Sequence, residues 1–81
     1  MYDANRRNGL DIQADILRVA TARGGALVTQ VVYGANLNFR IVRRYLERLI
    51  LRGLLVHEGS RYYPTERARD YLDTIEALYA L

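Results

Sequence analysis

The sequence predicts a mainly α-helical domain carrying one small β-hairpin, and three observations predict it. Apolar residues recur at helical spacing in separate stretches. Short β-type runs flank Glu58-Gly59-Ser60, and glycine or asparagine punctuates the junctions between elements. Eighty-one residues suffice for a single core. A chain of this length buries only about 60–65% of its surface, so a second copy would add to its stability.

Composition narrows the class of protein further. Apolar residues make up 51% and charged residues 26% of the chain, ordinary values for a folded domain. With no cysteine, the chain carries no disulfide framework, thiolate nucleophile or cysteine-based zinc site. No apolar run approaches the ~20 residues that a bilayer requires, and residues 1–9 lack the apolar stretch of a signal peptide. A cytoplasmic location and no membrane partner are therefore expected.

The elements follow in order. Ile12, Ile16, Leu17, Val19 and Ala20 predict a first helix over residues 11–23, with Asp11 as its cap or first-turn acid and Gly24-Gly25 as its stop. Ala26-Leu27-Val28 offers at most one short strand. Thr29 is placed to cap a short second helix through Val31, Val32 and Tyr33, which ends at the turn Ala35-Asn36-Leu37-Asn38. Asn38 then caps a third helix over residues 39–52, stopped by Gly53. On a 100° wheel Phe39, Val42, Leu46, Leu49 and Ile50 share one side, and Arg40, Arg43, Arg44, Glu47 and Arg48 the other. Leu54-Leu55-Val56-His57 and Arg61-Tyr62-Tyr63 form the hairpin. Pro64-Thr65-Glu66 breaks the second strand and caps a final amphipathic helix, on which Ala68, Tyr71, Leu72, Ile75, Leu78 and Tyr79 repeat at three- and four-residue spacing. This divides the chain into an N-terminal arm (residues 1–10), a domain (11–64) and a C-terminal helix (65–81).

Charge points to a partner. The net charge is +3, and all twelve basic residues are arginine. Genome composition explains such a bias, and so does selection for a planar fork that suits phosphates and guanine edges; composition alone does not choose between them. Position is more informative. Residues 36–52 hold five arginines against Glu47, a balance of +4, whereas residues 64–81 are mildly acidic at −2. One sign concentrated on one segment favours an anionic partner over a merely solvated face.

Helix, strand, short helix, turn, basic helix, hairpin and helix is the order of a winged helix-turn-helix, in which the second helix of the motif enters the major groove. Arg40, Arg43 and Arg44 then stand where base edges are read, while Arg48 and Arg52 stand nearer phosphates. Thr29 and Gln30 would offer a phosphate the N-terminus of the short helix, and Arg61 on the wing would reach the flanking groove or backbone. Asn38 either caps its helix or meets DNA, the cap being the simpler role. Arg6 and Arg7 form either an arm adding phosphate contacts or a terminus without a role.

The run from Thr29-Gln30-Val31-Val32-Tyr33 through Ala35-Asn36-Leu37-Asn38-Phe39, then Tyr45-Leu46-Glu47-Arg48-Leu49, Gly53-Leu54-Leu55 and Tyr62-Tyr63-Pro64-Thr65-Glu66, resembles the small archaeal winged-helix DNA-binding proteins. The likeness spans residues 11–72. It implies a transcriptional regulator or chromatin-associated protein of the nucleoid that dimerises through a C-terminal helix. Three departures stand out: Gly34 replaces a polar or basic residue, Ala68 replaces a common glycine, and the last helix stops at Leu81. A helix over residues 65–81 is ~25 Å long, which implies a compact dimer. Tyr71, Leu72, Ile75, Leu78 and Tyr79 are the expected dimer stripe, with part of that stripe packing on its own domain. Twofold symmetry would set two basic helices about 34 Å apart on successive major-groove faces.

Other classes fare worse. One histidine, no cysteine and no nucleotide-cradle, zinc-protease or nucleophile-elbow motif leave catalysis without a site; no cofactor or metal is expected. His57 beside Glu58 reads as a surface or packing residue. A winged-helix protein-protein interaction module is the alternative, and Leu51 on the polar side of the basic helix is its one supporting residue. RNA binding ranks third, because the tyrosines are not gathered on one sheet.

Overall fold

The computed structural model describes residues 7–81, so Arg6 of the expected arm lies outside the described residues. The elements are α1 (Gly9–Ala22), β1 (Ala26–Leu27), α2 (Val28–Gly34), α3 (Phe39–Leu51), β2 (Leu55–Glu58), β3 (Arg61–Pro64) and α4 (Glu66–Tyr79). The fold is a winged helix: four helices against a three-stranded antiparallel sheet in the order β1-β3-β2.

Helix ends show how the sequence sets this pattern. Asn8 caps α1 by accepting from the Asp11 N–H at 2.8 Å, and Asp11 returns the bond to the Asn8 N–H at 3.3 Å. This reciprocal pair starts α1 inside the stretch expected as an arm. Helices α1, α2 and α3 all end the same way. A residue of positive φ (Gly24, Asn36, Gly53) follows the helix, and the next amide (Gly25, Leu37, Leu54) reaches back to Ala20, Val32 and Leu49 at 2.9, 3.0 and 2.9 Å. These paired bonds satisfy the last carbonyls of each helix.

Two expected caps are corrected. Helix α2 starts at Val28, so Thr29 lies within its first turn; the Gln30 side chain instead accepts from the Leu27 N–H at 3.0 Å. Thr65 does occupy the position before α4, but its hydroxyl donates to the Gly53 carbonyl at 2.7 Å and makes no cap bond. That bond ties the end of α3 to the start of α4.

The core draws on every helix. Ile16 and Leu17 from α1, Val31 from α2, Val42, Leu46 and Leu49 from α3, Leu55 from β2 and Ile75 from α4 are fully enclosed. Close approach explains two small residues. A Cβ on Gly34 would lie 2.8 Å from a Val19 methyl, so glycine lets α2 settle against α1. At Gly25, φ is +111° and a Cβ would strike the Tyr63 ring. Ala68 is likewise completely buried.

In the wing, Glu58 pairs with Arg61 and His57 with Tyr62. The turn is therefore the two residues Gly59-Ser60 rather than the expected three. Among the described residues no helix is long and apolar enough to cross a membrane.

Candidate nucleic-acid interface

Helix α3 is half core and half guanidinium. Asn38 begins it, its side-chain oxygen accepting from the Ile41 N–H at 2.8 Å, so that oxygen serves as the helix cap. Val42, Leu46 and Leu49 then fix the helix roll by burying one stripe. The roll leaves Arg40, Arg43, Arg44 and Arg48 exposed. None of the four makes a hydrogen bond or ion pair among the described residues. Four cations on one helix face, with Glu47 the one acid of that helix and in no ion pair with them, repel one another, and an anionic ligand would relieve that repulsion.

Two of these arginines lean on rings. The Arg43 guanidinium sits 5.3 Å from the Phe39 ring centroid, and that of Arg48 5.4 Å from Tyr45. Each contact restrains a long side chain without using its N–H donors. Phe39 was expected in the core and is instead 46% exposed, because it is the first residue of α3, beyond the edge of the buried stripe. Tyr33 and Leu51 are 84% and 87% exposed, the latter among the arginines of α3.

Other expected contacts are engaged elsewhere. Arg52 donates to Gln13 at 3.4 Å and to the Tyr71 hydroxyl at 3.3 Å. Arg61 donates to the Gly25 carbonyl at 3.3 Å, fastening the wing to the loop after α1. Gln30 is occupied with Leu27, as above, while Thr29 remains exposed. On the wing His57 stacks on Tyr62 with centroids 4.0 Å apart, a pair that the register of a two-residue turn makes legible in the sequence.

The expected dimer stripe divides. Leu72 and Ile75 lie in the domain's own core, and Tyr71 is half-buried with its hydroxyl donating to Gln13 at 2.8 Å. These three are taken by the protomer itself. Leu78 and Tyr79 remain more than half exposed, with Leu81 beyond them and Leu10 on α1 also partly exposed. The side of α4 carrying Glu66, Asp70, Asp73 and Glu76, with Arg69 among them, lines a groove beside Thr21 and Pro64, so this face is predominantly acidic. Among the described residues no group of acids and histidine is arranged to hold a metal ion.

Comparison with known proteins bears on this geometry. Residues 6–81 match the winged helix-turn-helix family. The chain belongs to that family. A solved structure, that of Sso10a-2, a DNA-binding protein from Sulfolobus solfataricus, superposes with a TM-score of 0.79 at 31% identity, covering 91% of this chain and 80% of the other. No curated protein matches the chain. The archaeal resemblance read from the Ala35-Asn36-Leu37-Asn38 turn and its flanks is thereby supported.

Proposed function

We propose that this protein binds double-stranded DNA as a homodimer, with α3 in the major groove, and acts as a transcriptional regulator or architectural protein of the cytoplasmic nucleoid. The observation that carries the reading is the set of four unpaired arginines on the exposed face of α3. Arg40 and Arg44, in the first half of that helix, read base edges; Arg43 and Arg48, restrained by their rings, meet phosphates or flanking bases. Thr29 on α2 and the turn of the wing add backbone contacts, while Arg61, beside that turn, holds the wing to the loop after α1. The DNA-binding description of the Sulfolobus protein favours the same partner.

Leu78, Tyr79 and Leu81 supply the contact between protomers. The apolar atoms left exposed at this helix end gain by pairing with a second copy, although the Tyr79 hydroxyl already meets the Asn8 side chain of its own protomer at 3.3 Å. The dimer patch is smaller than the sequence alone suggests, since Leu72 and Ile75 are withdrawn into each protomer.

Fluorescence-anisotropy titration with random-sequence duplex DNA at several salt concentrations, together with sedimentation, tests both parts. If a dimer neutralises about 6–8 phosphates, log K falls with log salt at a slope of roughly −5 to −7. No binding at low salt removes the proposal and favours a protein dock centred on the exposed Leu51. A monomeric sedimentation value removes the dimer.

A further inference from the structure

Arg7 was expected ahead of the folded domain, yet it is among the most firmly held arginines in it. Its side chain is only 10% exposed. Nη1 donates to Asp15 Oδ2 on α1 at 2.7 Å and to the Ala35 carbonyl at 2.8 Å, and Nη2 donates to the Asn36 carbonyl at 2.9 Å. Ala35 closes α2, and Asn36 is the positive-φ residue of the turn that leads into α3. One planar group therefore bridges the first helix and the turn of the helix-turn-helix.

The geometry points to Arg7 as a positioning residue that sets how α3 is presented to DNA, an inference resting on the DNA-binding reading above. The chemistry explains why arginine stands there. The C-terminal carbonyls of a helix carry partial negative charge and accept a cation. Two carbonyls and a carboxylate within reach of two nitrogens of one group suit a guanidinium fork, whereas an ammonium is a compact point charge on a flexible stem. Asp15 is itself anchored, accepting from Arg18 at 3.2 Å, and Arg18 meets Glu76 of α4 at 3.3 Å. The turn is thus tied through Arg7 to α1 and onward to α4. With these donors spent, Arg7 acts through α3 rather than on a phosphate.

The test compares wild type with Arg7→Ala and Arg7→Lys by DNA titration across salt, and by amide resonances and hydrogen exchange of the free proteins. A positioning role predicts affinity weakened about tenfold in Arg7→Ala with the salt slope unchanged. Arg7→Lys, which keeps the charge and loses the fork, stays within about threefold of Arg7→Ala. In the free protein the amides of residues 36–41 shift and exchange faster in both variants. A salt slope smaller by about 0.9, with Arg7→Lys binding like wild type, would instead make Arg7 a phosphate contact. A lowered melting temperature with wild-type affinity would make it structural only, and either result overturns the inference. If wild type itself binds no DNA, the functional proposal fails alone; unchanged amides at residues 36–41 would then separately overturn the hold on the turn.

Discussion

Two sets of arginines stand in contrast in this molecule, beside Arg23, Arg67 and Arg69, which are also exposed and make no hydrogen bond or ion pair among the described residues. Arg40, Arg43, Arg44 and Arg48 stand on α3 with no ion pair or hydrogen bond among the described residues, whereas Arg7, Arg18, Arg52 and Arg61 each donate to carbonyls, carboxylates or side-chain oxygens of the protein itself. The side chains are chemically identical, so their surroundings decide their work. A guanidinium already bonded to the protein gains less by meeting a phosphate wherever that contact makes it give up its own bonds. One whose donors face only water exchanges hydration for a charge-assisted bond and releases counterions. Counting basic residues along the chain merges the two sets, and the structure separates them.

The comparison breaks most visibly if the free set is removed. Arg40→Ala combined with Arg44→Ala is expected to weaken DNA binding by at least about 100-fold, with sequence preference relaxed, while the melting temperature stays within about 2 °C of wild type. A large drop in melting temperature, measured by circular dichroism, would show that these arginines also hold the fold.

A second variant tests the frame that keeps the tied set in place. Gly25→Ala forces a side chain into positive-φ backbone and against the Tyr63 ring, at the residue whose carbonyl receives Arg61. It is expected to cost about 2–3 kcal/mol in denaturant unfolding. A cost below about 0.5 kcal/mol would mean that the loop relaxes without strain.

Arg52→Ala sharpens the boundary between the sets, since Arg52 lies at the end of the basic helix yet bonds to Gln13 and Tyr71. Stability should fall by about 0.5–1 kcal/mol and DNA affinity by less than about threefold. Affinity falling as far as in a free-set variant would move Arg52 across the line. The smallest effect is expected from Arg18→Ala, which removes exposed ion pairs to Asp15 and Glu76. Unfolding should change by no more than about 0.5 kcal/mol, with DNA binding unaltered.

Much of this architecture was legible because local chemistry fixes it. Asn38 caps α3 as its position suggests, and Gly24, Asn36 and Gly53 end helices through backbone bonds that need positive φ and nothing distant. Where side chains found partners elsewhere in the chain, the sequence misled. Thr65 looks like a cap and spends its hydroxyl on Gly53; Thr29 looks like a cap too, but there the competition is local, since Gln30 serves the Leu27 N–H and α2 starts at Val28. Phe39 follows the apolar periodicity, yet the core ends before it. The arginine face of α3 was visible from periodicity alone. Which arginines stay free was not, because Arg7 and Arg52 are engaged by residues 28 and 39 positions away.

The most direct test of the division is the salt dependence of duplex-DNA binding for wild type and for Arg40→Ala/Arg44→Ala, measured side by side from about 50 to 200 mM salt. The account predicts steep dependence in wild type and, in the double variant, weak binding with a shallower slope. Equal affinity and equal slope for the two proteins would contradict it, and would place the DNA-binding surface, if there is one, away from α3.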